Sequence, residues 1–121
     1  MTIALWCVSI AAMLPYVAVL LVKGRDNESP RASEAKLTGR DARLVGAQLN
    51  AFEAFPFFAF SVLAAHVVKG PSHVVDALAL LFLAARVAHM TAYAAGKGSL
   101  RSAMFSLGFL AVIAIFVWGA L

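Results

Sequence analysis

Charge is scarce in this sequence. Only 13% of its 121 residues are Asp, Glu, Lys or Arg, whereas 63% are hydrophobic, and the mean hydropathy is +0.89. A small soluble domain has too little interior to bury so much apolar surface. The composition therefore excludes a small soluble fold and indicates that lipid is the natural solvent of this chain.

Cysteine is almost absent as well. Cys7 is the only one, so the chain can form neither an intrachain disulfide nor a cysteine-based metal cluster. No second His or carboxylate accompanies His89 at the spacing of metal ligands, so we expect no metal site. The net charge is +4, but the basic residues lie in short segments between apolar stretches and not on one continuous face. This distribution argues against nucleic acid as a partner.

What the sequence does contain is four long apolar stretches. They cover residues 2–22, 44–68, 74–95 and 102–121. Each is long enough for a membrane-spanning helix, which needs about 20 residues, and little sequence is left for another domain. The first stretch lacks the basic start of a signal peptide and is expected to be an uncleaved anchor. We therefore predict a single all-α domain, an integral membrane four-helix bundle with left-handed, up-down arrangement.

The distribution of Lys and Arg predicts the orientation in the membrane. The connections 23–43 and 96–101 together carry eight of these residues, whereas the opposite side has only Lys69. Because cytoplasmic loops are enriched in Lys and Arg, loops one and three are expected in the cytoplasm and both termini outside. Trp6 and Trp118 would then lie near one interface, as in an aromatic belt.

The first connection is expected to be a solvated loop that ends at a helix start. Thr38 followed by Asp41 resembles a capping box, with Asp in place of the usual Glu. This pattern predicts that the second helix begins in the cytoplasm and enters the membrane at about Leu44.

Spans two and three contain polar side chains that lipid should exclude. They are Asn50, Glu53, Arg86, His89 and Tyr93. Helical periodicity places those of each span on one stripe. Counting from the span boundaries puts Glu53 and Arg86 at the same depth, about 14 Å at 1.5 Å per residue. We therefore expect a buried ion pair between Glu53 and Arg86, at the top of a polar cleft that rises halfway from the cytoplasmic face.

Most of these residues also have a structural interpretation. An ion pair can simply fix helix register, His89 can be a hydrogen-bonded bundle histidine, and Tyr93 can belong to the interfacial belt. Arg43 and Arg101 can be flanking charges that satisfy the positive-inside rule. The convergence of so many polar groups on one leaflet favours a functional cleft over a purely structural one.

Residues 43–56 carry a family resemblance. With Asn50, Glu53 and Pro56 forming an Asn-x-x-Glu-x-x-Pro core, this run resembles the second helix of the membrane-associated proteins in eicosanoid and glutathione metabolism, the MAPEG family. Residues 85–93, followed by Arg101, resemble that family's third helix and the start of its fourth. The four spans and the chain length agree, so the resemblance covers nearly the whole chain.

The resemblance implies a homotrimer in membrane lipid with glutathione as co-substrate. Glutathione would lie between subunits in a cytoplasm-facing pocket, beside a lipid-accessible groove for a hydrophobic small-molecule substrate. The residues implied for glutathione binding are Arg43, Gln48, Asn50, Glu53, Arg86, His89 and Tyr93. Arg101 would be the catalytic residue. Because an arginine keeps its charge at neutral pH, its role would be to stabilise the glutathione thiolate and not to act as a base.

Three functions compete at this point. The first is a glutathione-dependent transferase or peroxidase acting on hydrophobic electrophiles. The second is a non-catalytic lipid-binding or scaffold protein of the same family, favoured by Gly46 and Ala54, which stand where conjugating members often carry an arginine and an aromatic hydroxyl. The third, a proton-linked transporter using Glu53 and His89, is less well supported because the polar residues stop halfway across the membrane.

Overall fold

The protein consists of helices connected by short segments. A computed structural model describes residues 1–121. Its helices are α1 (Ile3–Leu20), α2 (Pro30–Glu34), α3 (Gly39–Lys69), α4 (His73–Ala94) and α5 (Gly98–Ala120). The four long helices are each long and apolar enough to cross a membrane. This confirms the predicted all-α bundle of four spans and makes the chain a multi-pass membrane protein.

The long helices alternate in direction. At one end of the bundle, which we call the loop end, α1 and α4 finish while α3 and α5 begin. At the other, which we call the terminal end, lie both chain termini and the turn at 70–72. Gly70 ends α3 with φ of 77°, a left-handed conformation that glycine adopts without steric cost. Which end faces the cytoplasm stays a prediction.

The first connection is more ordered than a plain solvated loop. It contains α2, a short helix that the sequence did not predict, with Pro30 in its first turn where a missing amide hydrogen costs nothing. Arg25 and Glu34 form a salt bridge of 3.0 Å across this segment. The 23–38 connection therefore folds back on itself at the loop end.

Helix α3 begins at Gly39, as the long second helix was predicted to do, but the predicted capping box does not form. Thr38 makes no side-chain hydrogen bond to the helix start. The Asp41 carboxylate instead accepts hydrogen bonds from the backbone amides of Lys23, at 3.3 Å, and Gly24, at 2.8 Å. Asp is one methylene shorter than the Glu usual at this position of a capping box. Its two hydrogen bonds instead hold the start of the first connection against α3.

Small residues let the helices approach closely. Buried alanines line the inner faces of all four spans, and the backbone of Gly119 in α5 lies so near Ala65 in α3 that an added Cβ would be 2.9 Å from the Ala65 Cα. Near mid-bundle the rings of Phe58 and Phe82 stack with their centroids 3.9 Å apart. This packing of small residues around a few aromatic rings is typical of helices that associate within lipid.

The terminal end is held by side chains that satisfy the start of α1. Thr2 caps the helix by accepting from the amide of Leu5, and the carboxylate of Asp76 in α4 accepts from the amide of Ala4 at 2.8 Å. The Thr2 hydroxyl is also 2.8 Å from Nε2 of His66 in α3. The first amides of a helix have no intrahelical partner, and Asp76 supplies one for Ala4. The contacts of Asp76 and His66 thus join the start of α1 to α4 and α3.

Candidate functional site

Helices α3, α4 and α5 enclose a polar cleft in the loop-end half of the bundle. Its volume is about 320 Å³. Its lining, which defines the polar cleft, is Asn50, His89, Tyr93, Arg101, Ser102, Phe105 and Ser106. Four of the residues that sequence reasoning selected are therefore brought together. The contributions of α5 beyond Arg101 were missed, although Phe105 lies four residues after Arg101 and therefore on the same face of the helix.

Arg86 is the most deeply buried charge in the site. Only 4% of the residue is exposed, and its guanidinium donates a hydrogen bond of 2.6 Å to the side-chain oxygen of Asn50. The predicted ion pair between Arg86 and Glu53 is wrong, since the protein's salt bridges lie in the first connection and do not include Glu53. Asn50 and Glu53 differ by about 60° around α3. At similar depth, Asn50 therefore faces Arg86 while Glu53 is exposed at the surface of the bundle.

A second cavity adjoins the polar cleft. It encloses about 180 Å³ between α3, α4 and α5, and most of its wall is apolar, with four phenylalanine rings. Its lining, which defines the aromatic pocket, is Asn50, Glu53, Ala54, Phe57, Phe82, Arg86, Phe105, Phe109 and Val112. Asn50 and Phe105 border both cavities. A polar and an apolar compartment therefore meet at these two side chains.

Tyr93 lies between helix α3 and Arg101. A Cβ added to Gly46 would be 2.5 Å from the Tyr93 hydroxyl oxygen and 2.8 Å from its Cζ, so the ring rests directly on the α3 backbone. The Arg101 guanidinium carbon lies over the ring, 4.8 Å from its centroid, at the distance of a cation–π contact. The absence of a side chain at Gly46 therefore sets the position of Tyr93, and through it that of Arg101.

His89 occupies the floor of the polar cleft. It is 2% exposed, and its ring lies edge-on to Tyr93, with centroids 5.7 Å apart, and beside Phe105. Its Nδ1 is buried and has no hydrogen-bond partner in the protein. Because an unpaired buried polar atom is costly, this nitrogen is suited to pair with a bound polar group.

Two residues assigned to glutathione by resemblance lie elsewhere. Gln48 is 4% exposed and does not line the cleft, because it points away from Asn50 on α3. Arg43 reaches the carboxyl end of α4, where its Nε donates to the Ala94 carbonyl at 3.1 Å, and it lines a different cavity. The geometry therefore gives Arg43 and Gln48 no place in the polar cleft. The binding roles of the remaining residues stay predictions.

The buried hydrogen bond predicts which residues are coupled. Asn50→Leu leaves the Arg86 guanidinium without its partner and should lower the free energy of unfolding by about 2–4 kcal/mol. Combining it with Arg86→Met should recover much of that loss, whereas Glu53→Gln and Arg86→Met should be additive because these two side chains form no hydrogen bond or ion pair. Unfolding titrations in one detergent provide both double-mutant cycles. Additive losses for the first pair, or coupling only in the second, would contradict the assignment.

Helix propensity alone predicts that replacing a helical glycine by alanine stabilises a protein, but the position of Gly46 against Tyr93 predicts that this replacement lowers the free energy of unfolding. Gly108→Ala, whose Cβ would meet only ordinary contacts at 3.6 Å, should be neutral or stabilising by up to about 1 kcal/mol. Gly46→Ala must displace Tyr93 and should instead lose about 1–3 kcal/mol. In a Tyr93→Ala background that loss should disappear. If Gly46→Ala stabilises the wild-type protein as much as Gly108→Ala does, the Tyr93 ring does not rest on α3 as described.

Comparison with known proteins agrees with this architecture. A comparison with curated proteins gives no match. The model of the MAPEG family matches residues 3–121, which is essentially the whole sequence and includes every residue of both cavities. The resemblance carried by the Asn-x-x-Glu-x-x-Pro run is thereby confirmed, and this chain belongs to the MAPEG family, the membrane-associated proteins in eicosanoid and glutathione metabolism.

Proposed function

We propose that this protein is a membrane-bound glutathione-dependent transferase or peroxidase that acts on hydrophobic electrophiles. One observation carries the proposal: the polar cleft, which contains Arg101, adjoins the aromatic pocket across Asn50 and Phe105. A reaction between a polar thiol and an apolar electrophile needs such neighbouring compartments, because each reactant must be held near the other without either being placed in an unfavourable solvent.

The donors and acceptors of the polar cleft suit a peptide co-substrate. Glutathione carries two carboxylates, an ammonium group and amides. The cleft offers the Asn50 amide, the Tyr93 hydroxyl and the unpaired Nδ1 of His89, and Ser102 and Ser106 add hydroxyls from α5. Glutathione binding is supported by this combination of hydrogen-bonding groups with a fixed positive charge.

Arg101 is proposed as the catalytic residue. A free thiol has a pKa of about 8.5, and a neighbouring guanidinium favours the thiolate, which is the nucleophile. Arginine does not lose its proton at neutral pH, so the thiol proton would leave to solvent at the loop-end side of the cleft, beside the exposed Ser102. The thiolate would then form a carbon–sulfur bond with the electrophile as the electron pair moves to the leaving group or the acceptor atom.

The single protomer leaves part of this site uncovered, which supports a homotrimer with sites between subunits. Glu53 is exposed in the protomer although it lies in a membrane-spanning helix, where an unpaired carboxylate in lipid is costly. Phe105 and Ser106 in the cleft wall are exposed too. A neighbouring copy of the chain, together with bound glutathione, would cover these groups. The Lys and Arg asymmetry supports a cytoplasmic loop end for the site.

A non-catalytic lipid-binding or scaffold role is the alternative that one observation favours. The space beside α3 at Gly46, where conjugating members often carry an arginine, is filled by the Tyr93 ring. At position 54 the aromatic pocket is bordered by an alanine, which offers no hydroxyl. A protein with these replacements can keep the cleft while lacking the groups needed for turnover.

The thiolate distinguishes these two functions. With saturating glutathione, the wild-type protein should show thiolate absorbance near 240 nm, an approximate wavelength, and Arg101→Ala should abolish it while leaving the fold intact. Arg101→Lys should restore the signal in part, since an ammonium lacks the planar guanidinium fork. Lys97→Ala is the matched control, because it removes a neighbouring exposed charge that does not line the cleft. Wild-type protein that binds glutathione without a thiolate signal would defeat the transferase proposal and support the lipid-binding alternative.

A further inference from the structure

Arg43 and Arg40 border a cavity that the proposed chemistry does not use. It lies between α1, α3 and α4 at the loop end and encloses about 620 Å³. It shares no lining residue with the polar cleft or the aromatic pocket. Apart from the two arginines and Thr91 its walls are apolar, and we call it the arginine groove.

Both guanidiniums retain unused positive charge. Arg43 donates through Nε to the Ala94 carbonyl, and its terminal nitrogens make no hydrogen bond or ion pair within the protein. Arg40 makes one long contact of 3.5 Å to the Leu21 carbonyl. No acidic residue lines the groove, and Asp41, their neighbour in sequence, is already bonded to backbone amides of the first connection. The mouth of the groove therefore complements an anionic group.

The apolar part of the groove runs from the arginines toward the middle of the bundle. Along α1 its lining extends from Leu21, the residue that follows the helix, back to Leu14, and along α4 it extends from Ala94 back to Val87. Each distance corresponds to about 10 Å at 1.5 Å per residue. Stabilisation of helix carboxyl ends explains the two carbonyl contacts of the arginines. It does not explain an apolar channel that begins at their side chains.

We propose that the arginine groove binds one anionic phospholipid, with the phosphate at Arg40 and Arg43 and an acyl chain along α1 and α4. Basic pockets between membrane helices at the cytoplasmic side bind anionic head groups, and the Lys and Arg distribution predicts a cytoplasmic loop end here. The arrangement of charge at the mouth and apolar walls below matches the two parts of a phospholipid. The proposal does not depend on glutathione chemistry.

Native mass spectrometry of the delipidated protein in a mild detergent tests the proposal. The probes are phosphatidylglycerol and phosphatidylcholine with identical acyl chains. Phosphatidylglycerol should bind in preference, and the Arg40→Gln/Arg43→Gln variant should weaken its binding about 30-fold, since each arginine near an anionic group contributes about fivefold. Arg40→Gln alone, at an exposed position, should give about the single fivefold loss even if Arg43 variants fold poorly.

Two further variants separate the groove from general surface charge. Lys36→Gln/Lys97→Gln removes the same number of positive charges at the loop end, from two exposed residues that do not line the groove, and should retain phosphatidylglycerol. Thr91→Trp keeps all charges but narrows the apolar channel, and should abolish the binding of phosphatidylglycerol. The proposal is overturned if both lipids bind equally, or if the lysine variant loses as much affinity for phosphatidylglycerol as the arginine variant. It is also overturned if laurate displaces bound phosphatidylglycerol as effectively as added phosphatidylglycerol does. Failure of delipidated wild-type protein to take up lipid, because another copy of the chain covers the groove, would also overturn it.

Discussion

The hydrogen bond between Arg86 and Asn50 is the interaction on which the arrangement of the site depends. Arg86 is 4% exposed inside an apolar bundle, so its guanidinium must be paired, and the Asn50 oxygen at 2.6 Å supplies the partner. This bond fixes α4 against α3. On the other side, the Arg86 side chain packs against α5, where a Cβ at Gly108 would be 3.7 Å from its Cδ. Three helices are therefore positioned around one charge, and the two cavities of the site lie beside it.

The same bond separates the polar from the apolar compartment. Because Asn50 borders both cavities, its orientation decides which groups face the cleft and which face the aromatic rings. Nearer the loop end, the Tyr93 ring rests on Gly46 and lies beneath the Arg101 guanidinium. The position of Arg101 therefore depends on its contact with Tyr93, whose ring can lie against α3 only because Gly46 has no side chain. This dependence links the packing of α3 to the charge proposed to stabilise a thiolate.

Hydropathy and residue periodicity were sufficient to predict the four helices and the α3 and α4 side chains of the polar cleft. Asn50, His89 and Tyr93 come together because helix period and antiparallel order already place them on facing stripes, whereas the family resemblance implied the site role of Arg101. Depth alone could not choose between Asn50 and Glu53 as the partner of Arg86, since that choice depends on the rotation of α3 by a fraction of a turn.

Long side chains and local hydrogen bonds limited the sequence prediction elsewhere. Arg43 shares a helical stripe with Asn50, yet its flexible side chain reaches the carboxyl end of α4 and leaves the cleft. Asp41 has the spacing of a capping-box residue, but its carboxylate accepts hydrogen bonds from two backbone amides of the preceding connection instead. The aromatic pocket depends on rings from three helices and has no signature in any one of them.

Calorimetric titration of glutathione into the detergent-solubilised protein tests the central claim most directly, namely that the polar cleft holds glutathione. The account predicts saturable binding of at most one molecule per protomer, strong loss of affinity in Asn50→Leu, and retention in Arg43→Gln, because Asn50 lines the cleft and Arg43 does not. Absence of binding to the wild-type protein, or loss in Arg43→Gln with retention in Asn50→Leu, would contradict it.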